Sequence, residues 1–153
     1  MKEIFYALGI LATFGLGIWN ALNNSQLKRK ASFVDTVTNE RIKWIERLRH
    51  NISDFCGTSH TLSYLDLENT PEDHELYKEV DKLRYLIRLQ LNPDGEHDKV
   101  IEQLILEIPD LLHQSKKAEL KHALTDLVEV TQKLLKQEWD KVKLEANHTK
   151  LAR

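Results

Sequence analysis

Glycine, proline and cysteine are all scarce in this chain. Its 153 residues include only 5 glycines, 3 prolines and 1 cysteine. So few helix breakers, and no sustained alternation of apolar and polar residues, exclude a sheet-rich fold and predict an all-α protein. The lone Cys56 excludes a disulfide framework and favours a reducing compartment over an exported domain.

The residue patterns of familiar enzyme classes are also missing. The sequence has no Gly-rich phosphate loop, nucleophile elbow, HExxH zinc motif or paired-carboxylate signature. Cys56 and His60 could share a helix face, but two ligands are half of a tetrahedral zinc site, and Gly57 interrupts them. His97 is expected to hydrogen-bond the start of a helix rather than transfer protons. We therefore predict no enzyme activity, no metal site and no cofactor.

An excess of one sign of charge is absent as well. There are 22 lysines and arginines against 24 aspartates and glutamates, for a formal net charge of −2. Nucleic-acid-binding domains usually concentrate positive charge, so this balance argues against a nucleic-acid partner. Abundant charge of both signs is typical of the solvated faces of helices.

The first part of the chain has the opposite character, because residues 4–22 contain no charged side chain. A helix of about 20 apolar residues spans the hydrocarbon core of a bilayer, so the sequence predicts a transmembrane helix over 4–22. The alternative is a cleaved signal peptide. Cleavage after Ala21 would require a small residue where Trp19 stands, and Trp19 suits an interfacial anchor better.

Positive charge after this segment predicts its orientation. Lys28, Arg29 and Lys30 follow the segment, whereas Lys2 is offset by Glu3. The positive-inside tendency then predicts a single-pass protein of a bacterial inner membrane, with its N-terminus outside and its C-terminal domain cytoplasmic. The three basic residues would contact lipid headgroups.

Small residues recur every four positions within the same segment. They are Gly9, Thr13, Gly17 and Ala21. Small side chains at this spacing let two membrane helices approach closely, which predicts a homo-oligomer packed through this ridge. The alternative is that this spacing only reflects composition, since glycine is common in membrane helices.

Residues 23–153 are predicted to form a cytoplasmic bundle of about four antiparallel helices. Apolar residues recur there at three- and four-residue steps between turn signals such as Asn92-Pro93-Asp94-Gly95. Ser115 is expected to cap the last helix. The predicted helices cover about 26–64, 71–91, 95–113 and 116–147.

Three motifs in this region resemble a widespread group of small bacterial proteins. The chain has RIKWIERLRHNISDF at 41–55, YLIRLQLNPDGEHDKVIEQL at 85–104 and LLKQEWDKVKLE at 134–145. The shared pattern is one N-terminal membrane helix followed by RxxWIxxLR, LNPxxxxH and LKxEWxxVKxE, although in this chain three residues and not four separate Pro93 from His97. The resemblance implies bacterial origin, membrane anchoring and a helical fold, but no activity. Gly95 departs from the acidic residue expected in the second motif, which would loosen the start of the third helix.

Three residues of these motifs are candidates for the core or for a docking surface. Trp44, Leu48 and Trp139 lie on apolar stripes, and we expect both tryptophans to be buried where the first and last helices pack side by side. Arg41 and its basic neighbours are expected to pair with acids such as Glu138 or Asp140 rather than with lipid.

Three functions are compatible with these patterns. The first is a non-enzymatic, membrane-anchored helical scaffold or interaction module that self-associates or docks a cytoplasmic protein. The second is a membrane-perturbing effector of a bacterial anti-phage or toxin system. The third is an accessory subunit that anchors an enzyme encoded beside it.

Overall fold

The structure is a computed structural model of the chain. It describes the backbone of residues 2–65 and 71–151 and the side chains of residues 13–20, 24–25, 29, 32–65 and 71–147.

Four α-helices make up nearly all of this part of the chain, and no strand occurs within residues 2–65 and 71–151. The all-α class and the helical bundle predicted from the sequence are confirmed. The helices are α1 (Lys2–Tyr64), α2 (Pro71–Arg88), α3 (Glu96–His113) and α4 (Lys117–Leu151).

The helix ends follow from local chemistry. Pro71 begins α2, where its missing N–H costs nothing, and Glu72 and Asp73 complement the helix dipole in the first turn. Ser115 ends α3 in the left-handed conformation, with φ of 54°. The Ser115 N–H donates to the Leu112 carbonyl and the Lys116 N–H to the Leu111 carbonyl, which is a Schellman motif.

The role predicted for Ser115 was therefore wrong. Its backbone closes α3, at the position that glycine usually occupies because a left-handed residue with a Cβ is strained. The hydroxyl group of Ser115 suggested an N-cap for α4. The left-handed backbone conformation of Ser115 instead places this residue at the C-terminal end of α3.

The chain divides into two compact units. Unit 1 comprises residues 1–40 and 143–153, and unit 2 comprises residues 41–142, so α1 and α4 contribute to both. Within unit 1 the two helices are linked by Thr38, whose hydroxyl donates to Glu145 Oε2 over 2.9 Å.

Unit 2 contains a hydrophobic core to which all four helices contribute. The buried side chains recur at three- and four-residue steps along each helix, so that each helix turns one apolar stripe inward. The members exposed by 1% or less are Ile45, Leu48, Phe55, Leu62, Val80, Ile87, Ile101, Ile105, Ile108 and Leu127.

No helix in the described part of the chain is long and apolar enough to cross a membrane. This finding overturns the predicted transmembrane helix over 4–22 and the predicted location in a bacterial inner membrane. The described apolar side chains extend only from Thr13 to Trp19 before the polar Asn20, Asn24 and Ser25. The side chains of residues 4–12 lie outside the described residues.

The roles that depended on this span lose their basis with it. The headgroup contact predicted for Lys28, Arg29 and Lys30 depended on that span and stays a prediction; Arg29 is exposed on α1, and the side chains of the other two are outside the described set. Helix α1 runs on without a break through the polar stretch after Trp19.

Candidate functional site

The predicted small-residue ridge lies on the exposed first part of α1. Gly17 has open space where a Cβ would stand, and Thr13 is exposed. The side chains of Gly9 and Ala21 lie outside the described residues. Packing of a second helix on this ridge therefore stays a prediction.

The turn between α2 and α3 is organised by two side chains. The Asn92 N–H donates to Asp98 Oδ1 over 2.8 Å, and the Asp94 N–H donates to Asn92 Oδ1 over 3.1 Å. The Gly95 N–H donates to the Asn92 carbonyl over 3.0 Å, which closes the turn. Asp98 is buried in the first turn of α3, where the helix dipole favours a negative charge.

Gly95 makes this arrangement possible. A Cβ added at residue 95 would overlap Asp98 Oδ2 and lie 2.8 Å from Asp98 Cγ. The backbone at Gly95 is extended, with φ of −72°, so glycine is required here for space and not for conformation. The expectation that Gly95 loosens the start of α3 was wrong, because the missing side chain admits the carboxylate that holds the turn.

The three motifs meet in unit 2, where one polar contact joins each pair of motifs. Trp44 Nε1–H on α1 donates to the Gln90 carbonyl, 2.9 Å away, just after α2. His97 Nε2 on α3 lies 3.1 Å from Gln137 Nε2 on α4. His97 therefore joins two helices, and the capping role predicted for it was wrong, since no side-chain hydrogen bond caps the start of α3.

The third contact connects the first and last helices. Arg41 Nε lies 3.4 Å from Glu138 Oε2, and the two side chains are only 25% and 16% exposed. The predicted internal pairing of Arg41 with Glu138 and the predicted approach of α1 to α4 are both confirmed. Asp140, the other acid considered, pairs with Lys136 over 2.6 Å. These polar motif residues are explained by the contacts that hold the helices together.

The two tryptophans of the motifs differ in burial. Leu48 is fully buried, as predicted, whereas Trp44 is only partly buried where it packs against the core. Trp139 is 41% exposed, so its expected burial was wrong. On α4 the inward stripe is filled by Leu135 and Val142, and Trp139 lies beside that stripe.

The candidate nucleophile and metal ligands have an ordinary structural environment. Burial raises the pKa of the Cys56 thiol to about 11, which keeps it protonated and unreactive at neutral pH. His60 is exposed, with its ring centroid 4.8 Å from that of Tyr64. Within the described residues no group of three or more His, Cys, Asp and Glu side chains is placed to hold a metal ion.

A cleft between α2 and α3 is the feature that sequence reasoning missed. It has a volume of about 430 Å³, and one wall is formed by the rings of Tyr77 and His113, stacked 5.1 Å apart with an angle of 5° between their planes. Burial, and secondarily the charge of Asp73, raise the pKa of the Tyr77 phenol, so it stays protonated. The two rings are far apart in sequence, and no motif connects them.

The most unusual surface lies on α1 in unit 1. All side chains of residues 13–20, which we call the apolar arm, are exposed. The exposed fractions of its large apolar side chains are Phe14 70%, Leu16 69%, Ile18 59% and Trp19 71%.

Helix α4 is too short to cover the apolar arm. The bond between Thr38 and Glu145 fixes the pairing of α1 with α4 in unit 1. From Glu145 to the end of α4 at Leu151 the helix advances about 9 Å at 1.5 Å per residue, whereas Trp19 lies about 28 Å from Thr38 along α1. The arm therefore extends beyond the end of α4.

Comparison with known proteins returned no matching family model, no matching curated protein and no matching solved structure.

Proposed function

We propose that this protein is a non-enzymatic helical interaction module that self-associates through the apolar arm. The observation that carries the proposal is the exposure of Phe14, Leu16, Ile18 and Trp19 on a segment of α1 that no other described part of the chain covers. Large apolar surfaces left open in a single chain mark sites of association.

Leu16 and Trp19 lie three residues apart on one face of α1, whereas Phe14 and Ile18 lie four residues apart on the opposite face. A single partner helix covers one of these faces, and we assign the contact to the face of Leu16 and Trp19. With the exposed fractions above, this pair offers roughly 250 Å² per copy, so an interface of about 1,000 Å² would have to extend along α1 beyond these two side chains. Trp19 is also one of the residue types that most often anchor interfaces.

Unit 2 supplies the rigid part of such a module. Its core is continuous across four helices, and three contacts join them: Trp44 joins α1 to the turn after α2, His97 joins α3 to α4, and Arg41 joins α1 to α4. In this proposal the arm provides assembly and unit 2 provides a stable body.

Light scattering of the full chain after size-exclusion chromatography tests the proposal. At tens of micromolar we expect twice the chain mass of 17.9 kDa for the wild type and the single-chain mass for Trp19→Glu. Leu106→Glu is the matched control, because it places the same charge at an exposed apolar residue of unit 2. It should remain dimeric. A wild-type chain that is monomeric throughout would refute the proposal.

A further inference from the structure

The charges that flank the apolar arm are distributed unevenly. Three consecutive cations, Lys28, Arg29 and Lys30, follow the C-terminal side of the arm on α1. On its N-terminal side Lys2 is followed by Glu3, and residues 4–22 carry no charge. Each arm therefore has one strongly positive end and one nearly neutral end.

From this asymmetry we propose that the occupant of the apolar arm is a second copy of this chain running antiparallel to the first. The inference rests on the proposed function and adds the orientation of the pair. A parallel pair would place the cations of both copies side by side, at the usual 8–10 Å between packed helices. That separation is about one Debye length at physiological salt, so the repulsion would be only partly screened.

An antiparallel pair removes this repulsion. If the arms overlap about a midpoint between residues 13 and 17, the two copies of Arg29 lie roughly 40–50 Å apart at 1.5 Å per residue. This is several Debye lengths, so the two basic clusters no longer affect each other. The same overlap brings the N-terminal end of each helix, with Glu3, toward the basic end of its partner, and it sets the two helix dipoles in opposite directions.

The exposed apolar side chains suit either direction, so charge decides between them. Leu16 and Trp19 lie close to the midpoint of the overlap on one face of α1, and that face would be covered in both arrangements. The orientation can therefore change without loss of the apolar contact, and an experiment can separate association from direction.

Spin labels on single cysteines provide that experiment in the full chain. Cys56→Ala removes the native thiol, and labels are then placed at Gly15→Cys or at Arg29→Cys. Both positions are exposed on α1, and Gly15 has open space around its Cα. Circular dichroism of each labelled variant should match that of the Cys56→Ala chain, since neither labelled position contacts the core.

The antiparallel pair predicts strong spectral broadening at position 15 and a dipolar distance of roughly 40–50 Å at position 29. Broadening at position 15 with a distance of roughly 10–25 Å at position 29 would overturn the antiparallel orientation and leave self-association intact. No dipolar signal at either position, with a single-chain mass, would overturn both proposals. Recruitment of single labelled chains to phosphatidylglycerol vesicles would identify a lipid surface as the occupant and overturn the inference.

Discussion

Replacing Gly95 with alanine should destabilise the protein by about 2 kcal/mol. The new Cβ would overlap the Asp98 carboxylate and force it away from the Asn92 N–H. This N–H now donates to Asp98 Oδ1 over 2.8 Å. A hydrogen bond to a charged group contributes about 1.5–3 kcal/mol, and Asp98 is only 5% exposed, so water replaces this bond poorly. Alanine has a lower conformational entropy than glycine in the unfolded chain, and this difference offsets about 0.4–1 kcal/mol of the destabilisation.

A double-mutant cycle separates the overlap from other effects of the substitution. In an Asp98→Ala background the carboxylate is gone, and of the three atoms nearest to the new methyl group only the Cβ of residue 98 remains, at 3.2 Å. Gly95→Ala should then cost less than about 0.5 kcal/mol, which gives a coupling of about 1.5 kcal/mol, within the usual range for residues in contact.

Urea unfolding followed by circular dichroism measures each free energy, and an unchanged slope shows that the transition is comparable between variants. Gly57→Ala is the matched control, because Gly57 lies inside α1 with nothing within 4 Å of an added Cβ. It should stabilise the protein by about 0.5–1 kcal/mol. An equal cost of Gly95→Ala with and without the Asp98 carboxylate would show that this reasoning is wrong.

Three further predictions follow from the described contacts. Ser115→Gly should raise the free energy of unfolding by about 1 kcal/mol, because Ser115 has a φ of 54° that glycine adopts without strain; an unchanged urea midpoint would contradict this. Cys56 has a pKa of about 11, so at pH 8 its reaction with a disulfide reagent should be about 100-fold slower than that of an ordinary thiol, rising about tenfold per pH unit below pH 11; a fast reaction at pH 8 would place it in solvent. Leu48→Ala should cost about 2–5 kcal/mol, whereas Trp139→Ala should cost clearly less, since Leu48 is fully buried and Trp139 is 41% exposed; thermal melts of the two variants that shift equally would contradict this difference.

The helix boundaries could be predicted well where the sequence contains strong breakers. Pro71 starts α2, and the Asn92-Pro93-Asp94-Gly95 turn separates α2 from α3 within a few residues of the predicted limits. The contact between Arg41 and Glu138 could be anticipated as well, since buried charges need partners and the two motifs were expected to be neighbours.

Other features depend on three-dimensional contacts that a pattern of residues does not specify. Trp139 lies on an apolar stripe of α4, but the neighbouring helices determine how much of that stripe is buried. Trp139 lies at the edge of the buried part. Asp98 reaches back over Gly95 to hold the turn before α3, a contact that the sequence pattern did not indicate. The predicted spanning helix was wrong for a related reason: absence of charge indicates only that a segment needs apolar surroundings, and it does not identify what covers it.

The most direct test of the central claim is hydrogen exchange in residues 13–20 of the full chain, followed by mass spectrometry from about 0.1 to 100 μM. If a second copy covers the apolar arm, exchange of these amides should slow as the concentration rises, while peptides from the core around Ile105 exchange at one rate throughout. Rapid exchange of residues 13–20 at every concentration would show that the arm remains uncovered and would contradict the proposed self-association.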